Sequence, residues 1–324
     1  MVKSFAKWVF CGLERGVAAL VALLVVVGGA CAPIDQCPPV SDVMLSRIRP
    51  TLAETGLFAP GSTDALAPGV RAYRPRYELW SDGASKRRWI WLPPGTRIDA
   101  TDVDSWQFPV GTRLWKEFSF AGRRVETRYM ERFGDGWLFI SYAWNNDGTS
   151  AAALPLGGTT PTSGTHSIPS AHQCLGCHGG RASRVLGFSA MQLTDARDGP
   201  TVRQLIDAGL LAPEAREVRV DGDAVTRDAL GYLHANCSHC HNQSRPPSGP
   251  ERCFNPQNEI DFFTSARDTG GAASLAAVRS FAARRDEILD LVGRTSAQGG
   301  MPPLAKAQVD SEGVAILRAF AAAQ

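Results

Sequence analysis

Residues 112–148 read TRLWKEFSFAGRRVETRYMERFGDGWLFISYAWNNDG, three runs rich in Trp, Tyr, Phe and Ile separated by Ala121-Gly122 and Gly134-Asp135-Gly136. Within RLWKEFSF apolar and polar residues alternate, the period of a strand with two different faces. Turn signals recurring about every 8–12 residues fit antiparallel strands in a sandwich or small barrel. The texture reaches back through RRWIWLPPGT (87–96) and DSWQFPVGT (104–112). We therefore expect an N-terminal antiparallel β-sandwich-like domain over residues 73–157. All tryptophans except Trp8 lie in it and are read as filling its core and cover.

Upstream, residues 32–72 are Pro-rich and read as a linker segment, with one short helix in SDVMLSRIRPTLAETGLF (41–58) that Pro50 interrupts. Residues 1–31 read as an export signal. Lys3, Lys7 and Arg15 precede GVAALVALLVVVGGA (16–30). That run is shorter than the roughly 20 apolar residues of a spanning helix. Val27-Gly28-Gly29-Ala30 before Cys31 resembles a lipoprotein box, which makes Cys31 the lipidated first residue. Plain cleavage after Ala32, or an uncleaved anchor, is the other reading. In each case the body leaves the cytoplasm for the periplasm or cell envelope and meets a membrane only through its N-terminal anchor. There Cys37 and Cys253 either pair as a disulfide or stand as two unrelated thiols.

Charge narrows the function classes. Of 34 Lys and Arg, three precede residue 31, and of 32 Asp and Glu, one does, leaving 31 of each sign. That balance excludes a nucleic-acid partner. A hydrophobic share of 44% with 20% charged residues excludes a disordered chain and a multi-span membrane protein. No Ser-His-Asp set, phosphate loop or paired-carboxylate signature points to a hydrolase.

Beyond the small polar stretch GGTTPTSGTHSIPS (157–170), helical spacing replaces the strand texture. GPTVRQLIDAGLL puts Val202, Leu205 and Ile206 on one face. QVDSEGVAILRAFAAA offers Asp310 as a cap with Val314, Leu317 and Phe320 on one side.

Two pentapeptides carry the chemistry: Cys174-Leu175-Gly176-Cys177-His178 and Cys237-Ser238-His239-Cys240-His241, both C-x-x-C-H. With this chain's cysteine and histidine content, one such match arises by chance about 0.004 times. Two thiols three positions apart on a helical turn can each bond one vinyl group of the same porphyrin. The following histidine then faces the iron. The spacing predicts two haem c groups, on Cys174 and Cys177 and on Cys237 and Cys240, with His178 and His241 as axial ligands. Each motif should open the first helix of a small all-α cytochrome c-like domain, in a first haem segment (158–232) and a second (233–324). A four-thiolate zinc site is the rival. It needs no histidine after each second cysteine, and exported chains rarely hold four free thiolates, so no zinc is expected.

The features YELWSDGASKRRWIWLPPGT, FPVGT, YAWNNDGTSAAALPLGG, QCLGCH and YLHANCSHCHN, in that order, resemble a bacterial family of exported dihaem c-type cytochromes, mostly uncharacterised. The resemblance runs over most of residues 73–324 and implies a β-rich front half and two haem-bearing helical segments. It supplies no reaction. Cys253, in SRPPSGPERCFNPQNEIDFF, has no place in the family pattern.

Each iron needs a sixth ligand. Met301, in QGGMPPLAKAQVD, lies 60 residues past His241 in a setting that resembles the methionine strap of small class I cytochromes c, and is assigned to the second haem. For the first, Met191 is the leading candidate, His166 would give bis-histidine ligation, and an unfilled position is the third possibility. His172 stands too close to Cys174 to reach the far face, and His234 and His239 default to surface or supporting roles. The leading expectation is an electron carrier serving redox partner proteins that the sequence does not name. The alternatives are a peroxidase-like redox enzyme with an open first haem, and a haem-based redox-sensing or binding protein that grips its partner through RYELWSDGASKRRWIWLPPGTRI.

Overall fold

Alternation in residues 113–144 becomes three long neighbouring strands. The structure, a computed structural model, describes residues 41–134, 136–155, 166–196, 198–243, 260–267 and 272–324, and for His172, Ala272 and Ala273 only the backbone. Cys11, Cys31, Cys37 and Cys253 lie outside the described residues, as does the export signal. Strands β1 (Arg71–Ala72), β2 (Ser85–Trp91), β3 (Arg113–Phe120), β4 (Arg123–Phe133), β5 (Gly136–Trp144) and β6 (Ala151–Leu154) form one antiparallel sheet in sequence order. The helices are α1 (Asp42–Leu45), α2 (Ala171–His178), α3 (Ala190–Leu193), α4 (Val202–Asp207), α5 (Ala224–Asn236), α6 (Ala272–Ala283), α7 (Arg285–Val292) and α8 (Ser311–Ala322).

Neither the expected β-sandwich nor two separate all-α haem domains is present. Each face of the single sheet is covered by irregular chain instead of a second sheet. On one face lie Trp89, Trp115, Tyr129, Ile140, Tyr142 and Trp144, set there by the cross-strand register. Residues 49–58 cover them. Trp115 donates to the Thr55 hydroxyl (2.9 Å), Tyr142 to the Arg49 carbonyl (3.0 Å), and Phe58 meets Trp89 and Trp144 edge-on. Trp89, Trp106, Trp115, Trp137 and Trp144 are all buried.

The segment after the first motif covers the opposite face. Helices α2 to α4 have eight, four and six residues, too short to bury a core of their own. Phe188 packs edge-on against Tyr73, Trp106 and Phe108, and Cys174, Leu193, Val202 and Leu205 share the sheet's core. The segment expected to carry the first haem is therefore built onto the sheet. A second apolar cluster joins α5 to α8 around Leu233, Phe281, Leu317 and Phe320. Asp310 caps α8, accepting from the Gly313 N–H (2.9 Å). Where α8 crosses α5, a Cβ at Gly313 would lie 2.3 Å from the Tyr232 ring, so only glycine permits this approach.

One loop ties the parts together. Trp80 N–H donates to Asn236 (2.7 Å), its indole to the Gln308 carbonyl (3.1 Å), and Asp82 accepts from the Ala307 and Gln308 N–H groups. The sheet edges are occupied too. Ala153 N–H donates to the Pro50 carbonyl (2.9 Å) beyond β6, and β1 spans only two residues. Among the described residues no helix is long and apolar enough to cross a membrane.

Candidate haem-attachment site

The first motif ends α2. Ser170 precedes the helix and donates its N–H to the Gln173 side chain (2.9 Å), satisfying one donor that a helix start leaves open. Positions 174, 177 and 178 are spaced i, i+3 and i+4, so their side chains share one face. All three line a cavity of about 160 Å³ that opens to solvent. The sheet forms one wall through Leu114, Lys116, Arg128, Met130 and Phe139. Tyr77, Trp80, Asn236, His239, Pro302 and Leu304 form others.

His178 is held in one orientation. Its Nδ1 donates to the Arg184 carbonyl (2.6 Å), and the Phe139 ring packs 4.7 Å from the imidazole. With Nδ1 engaged, Nε2 is the nitrogen left for a metal, as in histidines whose far N–H is anchored by backbone. Burial pushes the imidazole down to about 4, so it is neutral near pH 7, the form that ligates metal. Burial likewise raises Cys174 and Cys237 to about 12. Cys177 is held well below the ordinary thiol range by its hydrogen bond with Cys240, an effect burial opposes.

The second motif follows α5 as a tight turn, with the Cys240 and His241 N–H groups donating to the Cys237 carbonyl (3.0 and 2.9 Å). Both motifs thus close helices, where the spacing led us to expect helix starts. Helix α5 begins upstream at its Asp223 cap, which accepts from the Thr226 N–H (2.8 Å). Phe262 donates its N–H to the His241 carbonyl (3.0 Å) and sets its ring 5.9 Å from the imidazole.

Separated by 58 residues in sequence (179–236), the two motifs abut in space. Cys240 Sγ donates to the Gly176 carbonyl (3.7 Å), and Asn242 Nδ2 to the carbonyls of Gly180 (3.3 Å) and Ser238 (2.7 Å). His239 is buried at this junction, and His234 is half-buried beside it. His234 stacks on Phe263 (5.1 Å) and accepts from the Thr264 N–H (3.4 Å), and burial pushes it down to about 3.

Met301 lies in an anchored strap. Its N–H donates to the Leu291 carbonyl (3.0 Å), and Lys306 Nζ donates to the carbonyls of Met301 (2.9 Å) and Val292 (2.6 Å). Lys306 is close enough to Cys237 to interact with it electrostatically, so the strap borders the second motif. Met191 is buried with Leu230, Leu233 and Phe281 and lines a smaller cleft behind the cavity, together with His234 and His239. His166 sits between two carboxylates, 2.8 Å from Glu126 and 3.5 Å from Asp82. The methionine that lines the cavity is Met130, whose register opposite Phe139 puts it on the cavity face. Sequence reading placed it only in the β domain. The strand alternation carried the signal, but the facing helix did not show in it.

Among the described residues no three His, Cys, Asp or Glu side chains are grouped to hold a metal ion directly. What the cavity offers is a face of two thiols and one oriented, neutral imidazole beside aromatic walls, a donor set that suits a covalently attached porphyrin. Comparison of the chain with protein-family models, with curated proteins and with solved structures finds no match in any of the three.

Proposed function

We propose that the chain is an exported electron carrier with two covalently bound c-type haems, one on Cys174 and Cys177 with His178 as axial ligand, the other on Cys237 and Cys240 with His241 and Met301. The observation that carries this reading is the contact between the motifs: two C-x-x-C-H sequences meet, while Cys174, Cys177 and His178 of the first line one aromatic-walled cavity. Irons fixed this close form a short relay, and the protein tunes each through axial ligand, burial and nearby charge. The lipid anchor at Cys31, the location in the cell envelope and the unnamed redox partners belong to the same proposal. So does the family likeness.

A pyridine haemochrome assay on the matured protein tests it. Two haems per chain are expected; a colourless protein ends the reading.

One observation favours a second reading. Met191 lines a different cleft and His166 is buried between Glu126 and Asp82, so neither lines the cavity, and an iron there would lack both, as a redox enzyme needs. Carbon monoxide separates the two. A carrier binds it slowly at both irons, whereas rapid binding at the haem on Cys174 and Cys177 favours the enzyme.

A further inference from the structure

Arg88, Lys116 and Arg128 stand directly opposite one another across β2, β3 and β4, and all three line the cavity beside Cys174 and His178. Like charges in facing cross-strand positions destabilise a sheet unless something offsets them. The neighbouring carboxylates do so only in part. Glu78 is shared by Arg88 (3.1 Å), Lys86 (3.2 Å) and Arg74 (2.9 Å), and Glu126 serves both Arg128 (2.7 Å) and His166 (2.8 Å). Arg88 is only 5% exposed, yet its Nη1 is buried with no hydrogen-bond partner. Lys116 has no ion-pair partner among the described residues. Burial, and then the surrounding cations, push its ammonium well below the ordinary lysine range, a penalty that an anion in the cavity would reverse.

We propose that Arg88, Lys116 and Arg128 receive the propionate carboxylates of the haem attached at Cys174 and Cys177, an inference that rests on the haem reading above. Adjacent strands lie about 4.8 Å apart, so the row spans about 10 Å, room for two carboxylates side by side. Arg128 already holds Glu126 through Nε and Nη2, so the row offers the carboxylates Arg88 Nη1, the Lys116 ammonium and the remaining Arg128 nitrogen. A free oxyanion such as phosphate shares this chemistry, and the test separates the two.

The experiment uses full-length matured protein and the variants Lys116→Gln and Lys116→Arg, with the first haem identified as the one lost in Cys174→Ala/Cys177→Ala. In Lys116→Gln we expect two haems per chain, a lower midpoint potential at the first haem, and the pH-dependent step in that potential moved to higher pH; Lys116→Arg stays near the parent. Two haems with an unchanged potential and pH step overturn the inference. Should Lys116→Gln fail to accumulate, the propionate bending bands in the resonance Raman spectrum of the parent decide: charge-paired positions support the inference, solvent-like ones overturn it. A saturable spectral response of the parent to phosphate that Lys116→Gln loses assigns the row to a diffusible anion and overturns it as well. A chain without haem sinks the function reading, and this inference with it.

Discussion

The Cys240 thiol meets the Gly176 carbonyl at 3.7 Å, so the second C-x-x-C-H rests against the middle residue of the first. Haems held by motifs in contact sense each other's charge. The double substitution Cys174→Ala/Cys177→Ala should leave one haem per chain and shift the potential of the survivor. A survivor that titrates just as it does in the parent would mean that the two sites are electrically independent.

Met301→Ala removes a thioether but keeps the strap's backbone bonds to Leu291 and Lys306. Thioether ligation favours reduced iron. The expected result is a lower potential at the haem on Cys237 and Cys240, loss of the long-wavelength charge-transfer band of methionine-ligated ferric haem, and carbon monoxide binding at that iron. An unaltered spectrum would show that another group fills the position.

Glu126, His166 and Asp82 form a buried ionic link beneath the sheet. Burial opposes ionisation of Glu126, but Arg128 and His166 outweigh it and hold the carboxyl at about 2. Its stabilising share is therefore complete above 4.5, the ordinary value, and lost as pH falls from there toward 2. For His166 burial lowers the pKa, yet the two carboxylates outweigh it and raise the imidazole above 6.5, so its share is complete below 6.5 and lost as pH rises through the raised value. Denaturant midpoints should form a plateau between those limits. Glu126→Gln should flatten both shoulders and cost about 3–5 kcal/mol, since one partner of a buried pair is removed.

Gly313→Ala places a methyl 2.3 Å from the Tyr232 ring and must push α8 off α5. Overpacking of this kind costs about 1–3 kcal/mol. Urea unfolding of the variant measures it, and a loss below about 0.5 kcal/mol would show a crossing loose enough for a side chain.

Some of this architecture was legible in the sequence. Alternation in RLWKEFSF, the Asp310 cap and the helix break at Pro50 all carry local signals, and both attachment motifs are contiguous. The covers of the sheet were not legible, because Thr55, Phe58 and Phe188 sit in irregular chain without a period, and sheet faces are easily assigned to a second sheet. Aligning Arg88 with Lys116 and Arg128 requires the register across three strands, including the irregularity at Phe118/Ser119. His166 gave no hint of Asp82 and Glu126, 84 and 40 residues away, and the YELWSDG loop, named above only as part of a segment that would grip a partner, fastens α5 and the Met301 strap to the sheet.

With Pro50 bonded along β6 and only two residues in β1, the sheet among the described residues offers a foreign strand only short borders. On the electron-carrier reading proposed above, a redox partner would then recognise the chain by side-chain complementarity more than by backbone augmentation. Such encounters can be brief and salt-sensitive, which suits repeated turnover.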